Sequence, residues 1–326
     1  MKTNTDQKII DYLAKNKQAT AKELVDYLGI SKQALFKNHL SKLLEKGKIT
    51  KIGKPPKVFY LVKTEDEEVK KVPINSEIRE IINEKYLIIT PYGERKKGLE
   101  GFIYWCQKND QPINKTAIEY VKTLRKYDSF RKYGFIEGIN KLQNTFSKVY
   151  LDDLFYLDFY SIERFGKTRL GQLLLYAKQT QNKKIIQELI LEIKSEVNKL
   201  IKKYRIDGVG FIPPTLKREI QFMKELEEGL SLNINKIKIT KIKTEIIIPQ
   251  KSLSKLKDRI ENIKKTLIVE EKTIYNNILL IDDAVGSGAT MNEAAKQIRK
   301  RKICQNKIIG LSITGSFKGF DVISEI

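Results

Sequence analysis

Three stretches near the start of the chain repeat their apolar residues at helical spacing. Residues 6–15 carry Ile9, Ile10, Tyr12 and Leu13, residues 20–29 carry Leu24, Val25, Tyr27 and Leu28, and residues 31–47 carry Leu35, Leu40, Leu43 and Leu44. Side chains three and four apart share one face of an α-helix, so each stretch predicts an amphipathic helix. The ends are punctuated as helix ends should be. Asp6, Thr20 and Ser31 are N-cap candidates, Thr20 and Glu23 have capping-box spacing, and Gly29 and Gly47 are stops. The pattern then shifts to β-runs at 48–52 and 58–62 around a turn holding Pro55 and Pro56, which predicts a hairpin.

Residues 64–74 are charged and polar and read as a linker. The region 75–150 reads as mostly helical, most clearly at 77–84 and 115–127, with a strand and turn beginning at 86–90. Phe102, Tyr104, Trp105, Tyr120 and Tyr127 are its expected core, although aromatics of this kind also line nucleobase pockets. From 151 onward helical patterns (170–177, 184–204) alternate with apolar β-runs at 206–212, 237–242, 278–281 and 308–313. Such alternation predicts right-handed crossovers and a parallel sheet, with ligands at the carboxyl ends of its strands. The expected fold class is therefore multi-domain: 1–63, a linker at 64–74, a middle region of unknown role at 75–150, and an α/β domain at 151–326.

Charge sharpens this division. The chain of 326 residues has 62 Lys and Arg against 40 Asp and Glu, a net +22. Residues 1–63 alone hold 14 lysines, no arginine and 5 acidic residues, a net +9. A lysine-rich composition raises charge everywhere, but this concentration points to a polyanionic partner for the first segment, with nucleic acid foremost. Cys106 and Cys304 are too few and too far apart for a disulfide framework or a zinc site. His39 is the sole histidine, and nothing in the sequence pairs it with a nucleophile. The first residues lack an apolar signal segment and no apolar run approaches a membrane span, so the expectation is a cytoplasmic, reduced protein without a membrane partner.

The densest chemistry lies at 278–290. The buried-strand pattern Ile278-Leu-Leu-Ile281 meets two carboxylates, Asp282 and Asp283. A small-residue turn, Ala284, Val285, Gly286, Ser287, Gly288, Ala289 and Thr290, then opens a helix. Backbone N–H groups at a helix N-terminus cradle phosphate, glycines allow close approach, and paired carboxylates accept hydrogen bonds from vicinal hydroxyls. This order resembles the phosphoribosyl-pyrophosphate (PRPP) motif of type I phosphoribosyltransferases, in particular the ComF-like branch.

The resemblance covers about 160–326. It implies an α/β phosphoribosyltransferase fold, with the ribose bound by Asp282 and Asp283 and the 5′-phosphate by the 284–290 loop. Pro213, Pro214 and Thr215, followed by Lys217 and Arg218, resemble the family's pyrophosphate loop. The spacing from Thr244 through Gln250, Leu253 and Arg259 to Asn262 is similar to the loop that closes over the ligand. Lys217, Arg218, Lys251 and Arg259 would then contact the departing pyrophosphate, and Phe317 and Lys318 would form the hood over the base. Mg²⁺ would be the cofactor, brought by PRPP to a place near Asp282 and Asp283 rather than held by a cluster of protein ligands. The family usually has two threonines where this chain has Gly286 and Ser287, so one hydroxyl donor is missing.

The first 63 residues resemble the winged helix-turn-helix family. That resemblance puts Ser31, Lys32, Gln33, Phe36 and Lys37 on the outward side of a helix that enters the major groove. Lys51, Lys54 and Lys57 would lie on a wing against phosphates. ComF-like proteins commonly begin with a cysteine-rich zinc module, which this chain lacks. A winged helix ahead of a PRPP-binding domain is instead similar to the layout of the bacterial purine-repressor family. The favoured expectation is a DNA-binding regulator with PRPP or a nucleotide as effector, double-stranded DNA as partner and a homodimer as assembly. The alternatives are an active phosphoribosyltransferase tethered to nucleic acid and a DNA-handling scaffold with a vestigial site.

Overall fold

The computed structural model describes residues 5–63, 73–216, 218–242, 244–246, 248, 252–253 and 255–316, and of Lys54 the backbone alone. The chain divides into two compact units, Met1–Pro73 and Ile74–Ile326. The expected linker at 64–74 lies mostly outside the described residues. Among the described residues no helix is long and apolar enough to cross a membrane.

The first unit contains α1 (Thr5–Asn16), β1 (Ala19–Thr20), α2 (Ala21–Leu28), α3 (Lys32–Ala34), α4 (Ser41–Glu45), β2 (Ile49–Lys54) and β3 (Lys57–Val62). A π-helical segment, Leu35–Leu40, joins α3 to α4. The expected capping box is present. Thr20 N–H donates to Glu23 Oε2 at 2.6 Å, Thr20 Oγ1 accepts from Glu23 N–H at 3.3 Å, and Gly29 closes α2 in the left-handed region at φ 65°. The apolar stripes meet in one core built on Ile9, Leu13, Leu24, Leu35, Leu40 and Leu43. The hairpin β2–β3 gains a third antiparallel strand, β1, which at two residues is too short to show any alternation. Asp6 does not cap α1. The helix starts at Thr5, and Asp6 Oδ1 instead lies 2.6 Å from Nδ1 of half-buried His39, tying α1 to the π-helical segment.

The second unit opens with α5 (Ser76–Lys85), the hairpin β4 (Leu87–Ile89) and β5 (Arg95–Lys97), α6 (Gly98–Lys108) and α7 (Ile113–Asp128). Then come β6 (Arg131–Lys132), β7 (Phe135–Glu137), α8 (Ile139–Thr145), β8 (Asp153–Phe159), β9 (Ser161–Ile162) and β10 (Gly166–Lys167). The remainder is α9 (Arg169–Thr180), α10 (Lys183–Tyr204), β11 (Gly208–Phe211), α11 (Phe222–Leu230), β12 (Asn235–Lys236), β13 (Ile239–Lys241), α12 (Leu256–Thr266), β14 (Leu267–Val269), β15 (Ile278–Val285), α13 (Ala289–Lys300) and β16 (Ile308–Gly315). A seven-stranded sheet in the order β12-β11-β15-β16-β8-β7-β6 organises it. Neighbours from β12 to β8 are parallel, and β7 and β6 are antiparallel additions. Leu279, Ile281 and Leu311 face α9, α10 and α11 through Leu173, Leu189 and Leu226 in one large core.

Two expectations are corrected here. The chain does not divide at 150, because β6 and β7 belong to the same sheet as β15. The aromatics of the middle region also pack across that point: Tyr120 lies 5.1 Å from Phe165 and Tyr127 lies 5.1 Å from Phe159, ring centre to ring centre. Phe102, Tyr120 and Tyr127 are buried as the core reading expects, with Tyr104 and Trp105 partly covered. The run 237–242 does not extend the parallel sheet. After Ile237 N–H donates to Val209 O at 2.8 Å, the chain turns away and β13 pairs antiparallel with β14. An alternating β-run specifies a half-covered strand but not the sheet it joins.

Replacing Thr20 with Ala removes the Oγ1 that accepts the Glu23 N–H while the backbone N–H of residue 20 still reaches Glu23, and a lost side-chain cap of this kind costs about 1 kcal/mol. Trp105 lies in the second unit, so amide hydrogen exchange over residues 5–62 is the proper probe. The Ala variant should lose protection there, whereas Thr20→Ser should keep it.

Candidate functional site

Strands β11 and β15 are parallel neighbours whose connections leave in opposite directions. β11 leads through residues 212–221 and α11 out to β12, while β15 leads through Gly286–Gly288 and α13 to β16 on its other side. Diverging connections open a crevice at the carboxyl ends of the strands. A cavity of about 270 Å³ lies there, walled by the 212–216 turn on one side and residues 284–290 on the other, with Asp282 and Asp283 between them.

The acid pair lies in the last part of β15, which runs to Val285, so Ala284 and Val285 belong to the strand rather than to the turn. Successive strand residues point to opposite faces, so the two carboxylates diverge. Asp282 stands in register with Ser312 of β16, and its Oδ1 accepts the backbone N–H of Asp283 at 2.8 Å. Asp283 meets α9: its Oδ2 lies 2.8 Å from Lys178 Nζ.

Beyond the pair, Gly288 begins α13 in the left-handed region at φ 76°, with no side-chain cap hydrogen bond at that position. A Cβ there would also stand 2.3 Å from Leu142 Cδ2, so backbone and packing both call for glycine. Ser287 is buried, and its Oγ accepts the Ala289 N–H at 3.4 Å. The first turn of α13 thus faces the cavity with backbone donors, the local chemistry of an anion site.

On the opposite wall Pro213, Pro214 and Thr215 line the cavity as expected. Arg218 and Arg259 reach it too, but each already serves the backbone. Arg218 Nη1 donates to the carbonyl of Lys178, and buried Arg259 donates through Nε to Leu253 O at 2.6 Å. Lys217, Lys251, Phe317 and Lys318 lie outside the described residues. In the first unit Ser31, Lys32, Gln33, Lys37, Lys51 and Lys57 are exposed, and Lys54 pairs with Lys57 across the hairpin end. Ser31 is committed to capping α3, its Oγ accepting from Ala34 N–H at 3.1 Å.

Among the charged cavity residues two were not foreseen as site residues, Lys178 and Lys241. Lys241 Nζ donates to Thr215 Oγ1 at 2.9 Å. In so lysine-rich a chain neither carries a distinguishing signal; Lys178 ends an apolar helix and Lys241 sits in an ordinary β-run. Their charges matter to the acid pair. Loss of solvent raises the Asp282 carboxyl to about 7, and the Asp283 charge pushes the same way, while Lys241, the Asp283 N–H and Lys178 pull it down. Burial lowers the Lys241 ammonium despite attraction from Asp282 and Asp283, and Lys178 adds repulsion. Among the described residues no group of three or more His, Cys, Asp or Glu could hold a metal ion.

A carboxyl raised in the folded state favours folding most at low pH, and that contribution disappears as pH climbs through the folded value of about 7. At pH 8 ionised Asp282 therefore burdens the fold. Asp282→Asn should melt higher than the parent chain at pH 8, by about 2–4 °C for each kcal/mol relieved, and the advantage should shrink toward pH 5. Melting curves across that range check it; a variant less stable at pH 8 would remove the burden from Asp282.

No family model matches the chain, and no curated protein matches it. Among solved structures, a hypoxanthine phosphoribosyltransferase from Staphylococcus aureus is similar over 43% of this chain and 82% of its own, with 17% identity and a TM-score of 0.23. That likeness is too slight to assign a function, which must come from the cavity itself.

Proposed function

We propose that the second unit binds PRPP, and that the chain is a regulator whose first unit reads duplex DNA according to that binding. The observation that carries the reading is the acid pair at the cavity floor, flanked by the N-terminus of α13 and by the 213–216 turn. Carboxylates accept from the two ring hydroxyls of a pentose, the α13 terminus suits its 5′-phosphate, and the turn with its nearby cations suits a second anion. Mg²⁺ fits as a companion of the pyrophosphate: Asp282 and Asp283 are the carboxylates among the described wall residues, and they would share the ion with the ligand's own oxygens. Bound there, it would supply charge neutralisation.

The reading of the first unit rests on three helices, a hairpin and the placement of charge. Lys32, Gln33 and Lys37 are exposed at the start of the third helical stretch, and Lys51 and Lys57 on the hairpin. We read this as a winged helix-turn-helix with the first group toward base edges and the second toward phosphates. The competing reading is a working transferase, favoured by Arg259, which α12 carries into the cavity wall.

Changing Asp282 and Asp283 together to Asn should weaken Mg²⁺-PRPP binding at least tenfold in calorimetry, since each charged hydrogen bond contributes ~1.5–3 kcal/mol. Equal affinity in the double variant would place the site elsewhere.

DNA affinity of the full chain should fall with salt at a slope near −0.9 per phosphate contact, for about 3–5 contacts. Lys57→Ala should flatten the slope, and Gln33→Ala should relax sequence preference. Saturating PRPP should change DNA affinity, and DNA should change PRPP affinity by the same factor, because coupling is reciprocal. Unchanged DNA affinity together with base-dependent release of pyrophosphate would make the chain a transferase.

A further inference from the structure

Lys178 and Lys241 approach the acid pair from different elements, the last turn of α9 and the end of β13. Each also grips the turn that follows β11. Lys178 holds Asp283 through its ammonium at 2.8 Å, while its carbonyl receives Arg218 Nη1. Lys241 holds Thr215 Oγ1 at 2.9 Å and is attracted by Asp282 and Asp283 together. Neighbouring bonds tighten the same joint: Ile220 N–H donates to Gln181 Oε1 at 2.8 Å, and Gln221 Nε2 donates to Arg218 O at 2.9 Å. Two walls of the cavity that are far apart in sequence are thus joined twice, each time through a lysine.

Charge explains why lysine is suited to both joints. Two adjacent carboxylates repel each other, and they repel any incoming phosphate. An ammonium beside each wall cancels that repulsion without removing the carboxylate oxygens, which retain lone pairs for hydroxyl donors. The remaining cations on the wall, Arg218 and Arg259, leave the cavity with an excess of positive charge.

We propose that Lys178 and Lys241 are positioning residues that lock the acid pair to Thr215 and Arg218 of the opposite wall as one charge-balanced unit, so that the cavity prefers a ligand joining a vicinal diol to a phosphate-type anion over either group alone. This rests on the PRPP reading of the cavity. It adds two residues to that reading and gives them a role in selectivity.

The test uses the full chain and three probes: Mg²⁺-PRPP, ribose 5-phosphate and inorganic pyrophosphate with Mg²⁺. Lys178→Met and Lys241→Met should each lose tenfold or more in affinity for Mg²⁺-PRPP and for ribose 5-phosphate, which both join a diol to a phosphate, and distinctly less for pyrophosphate, whereas Lys178→Arg should stay within about threefold of the parent chain. Lys178→Gln replaces the Met variant if that one fails to fold. Equal losses for all three probes, or Met variants that bind like the parent, would overturn the role in selectivity while leaving PRPP binding intact. Failure of the parent chain to bind Mg²⁺-PRPP would instead overturn the ligand reading.

Discussion

Ile278 to Ile281 are almost completely buried between β11 and β16, and the site exists where that burial stops. A strand enclosed on both faces is mostly apolar along its length. In β15 the charged groups enter at the carboxyl end, where the neighbouring connections diverge and solvent returns. Asp282 and Asp283 occupy that end, still in strand geometry, so the sheet rather than a loop fixes their directions. The turn to α13, the lysines of α9 and β13, and the 213–216 wall are all arranged around two carboxylates whose backbone the central strand holds in place.

What could be read in advance followed from how local each signal is. The capping box of Thr20 and Glu23 spans three residues, and the strand, acid pair, glycine turn and helix of 278–300 form one continuous segment; both keep their order in the fold, although the strand runs on to Val285. β8 was hidden because Asp158 interrupts an apolar run. The structure pairs that carboxylate with Arg131 at 2.6 Å, a partner 27 residues away that no local pattern reveals. Lys241 was hidden for a related reason, since its meaning comes from Thr215 and the acid pair, which only the tertiary fold brings near. The boundary expected at 150 failed because Phe159 and Phe165 finish a core begun by Tyr127, Tyr120 and Phe102.

The acid pair is also a local conflict in an otherwise consistent fold. Burial pushes Asp282 toward its neutral form, and the nearby ammonium groups only partly oppose this. Conflicts of this kind concentrate where a surface is shaped for something other than its own stability. Arg218 and Arg259 show the opposite adaptation: each is anchored to a backbone carbonyl, so its position is set before any ligand arrives.

The short hairpin β6–β7 has a role apart from the cavity. β8 is an apolar, seven-residue strand, and without β7 beside it one whole row of its N–H and C=O groups would face solvent. A strand left open in that way is a template for pairing with other chains. The hairpin covers the middle of this row, at Phe155 and Tyr156, with two short strands whose ends carry Arg131, Lys132 and Glu137, a charged border unsuited to further pairing. A fragment cut at residue 151 would keep every residue of the cavity wall and still be prone to aggregate along its exposed sheet edge.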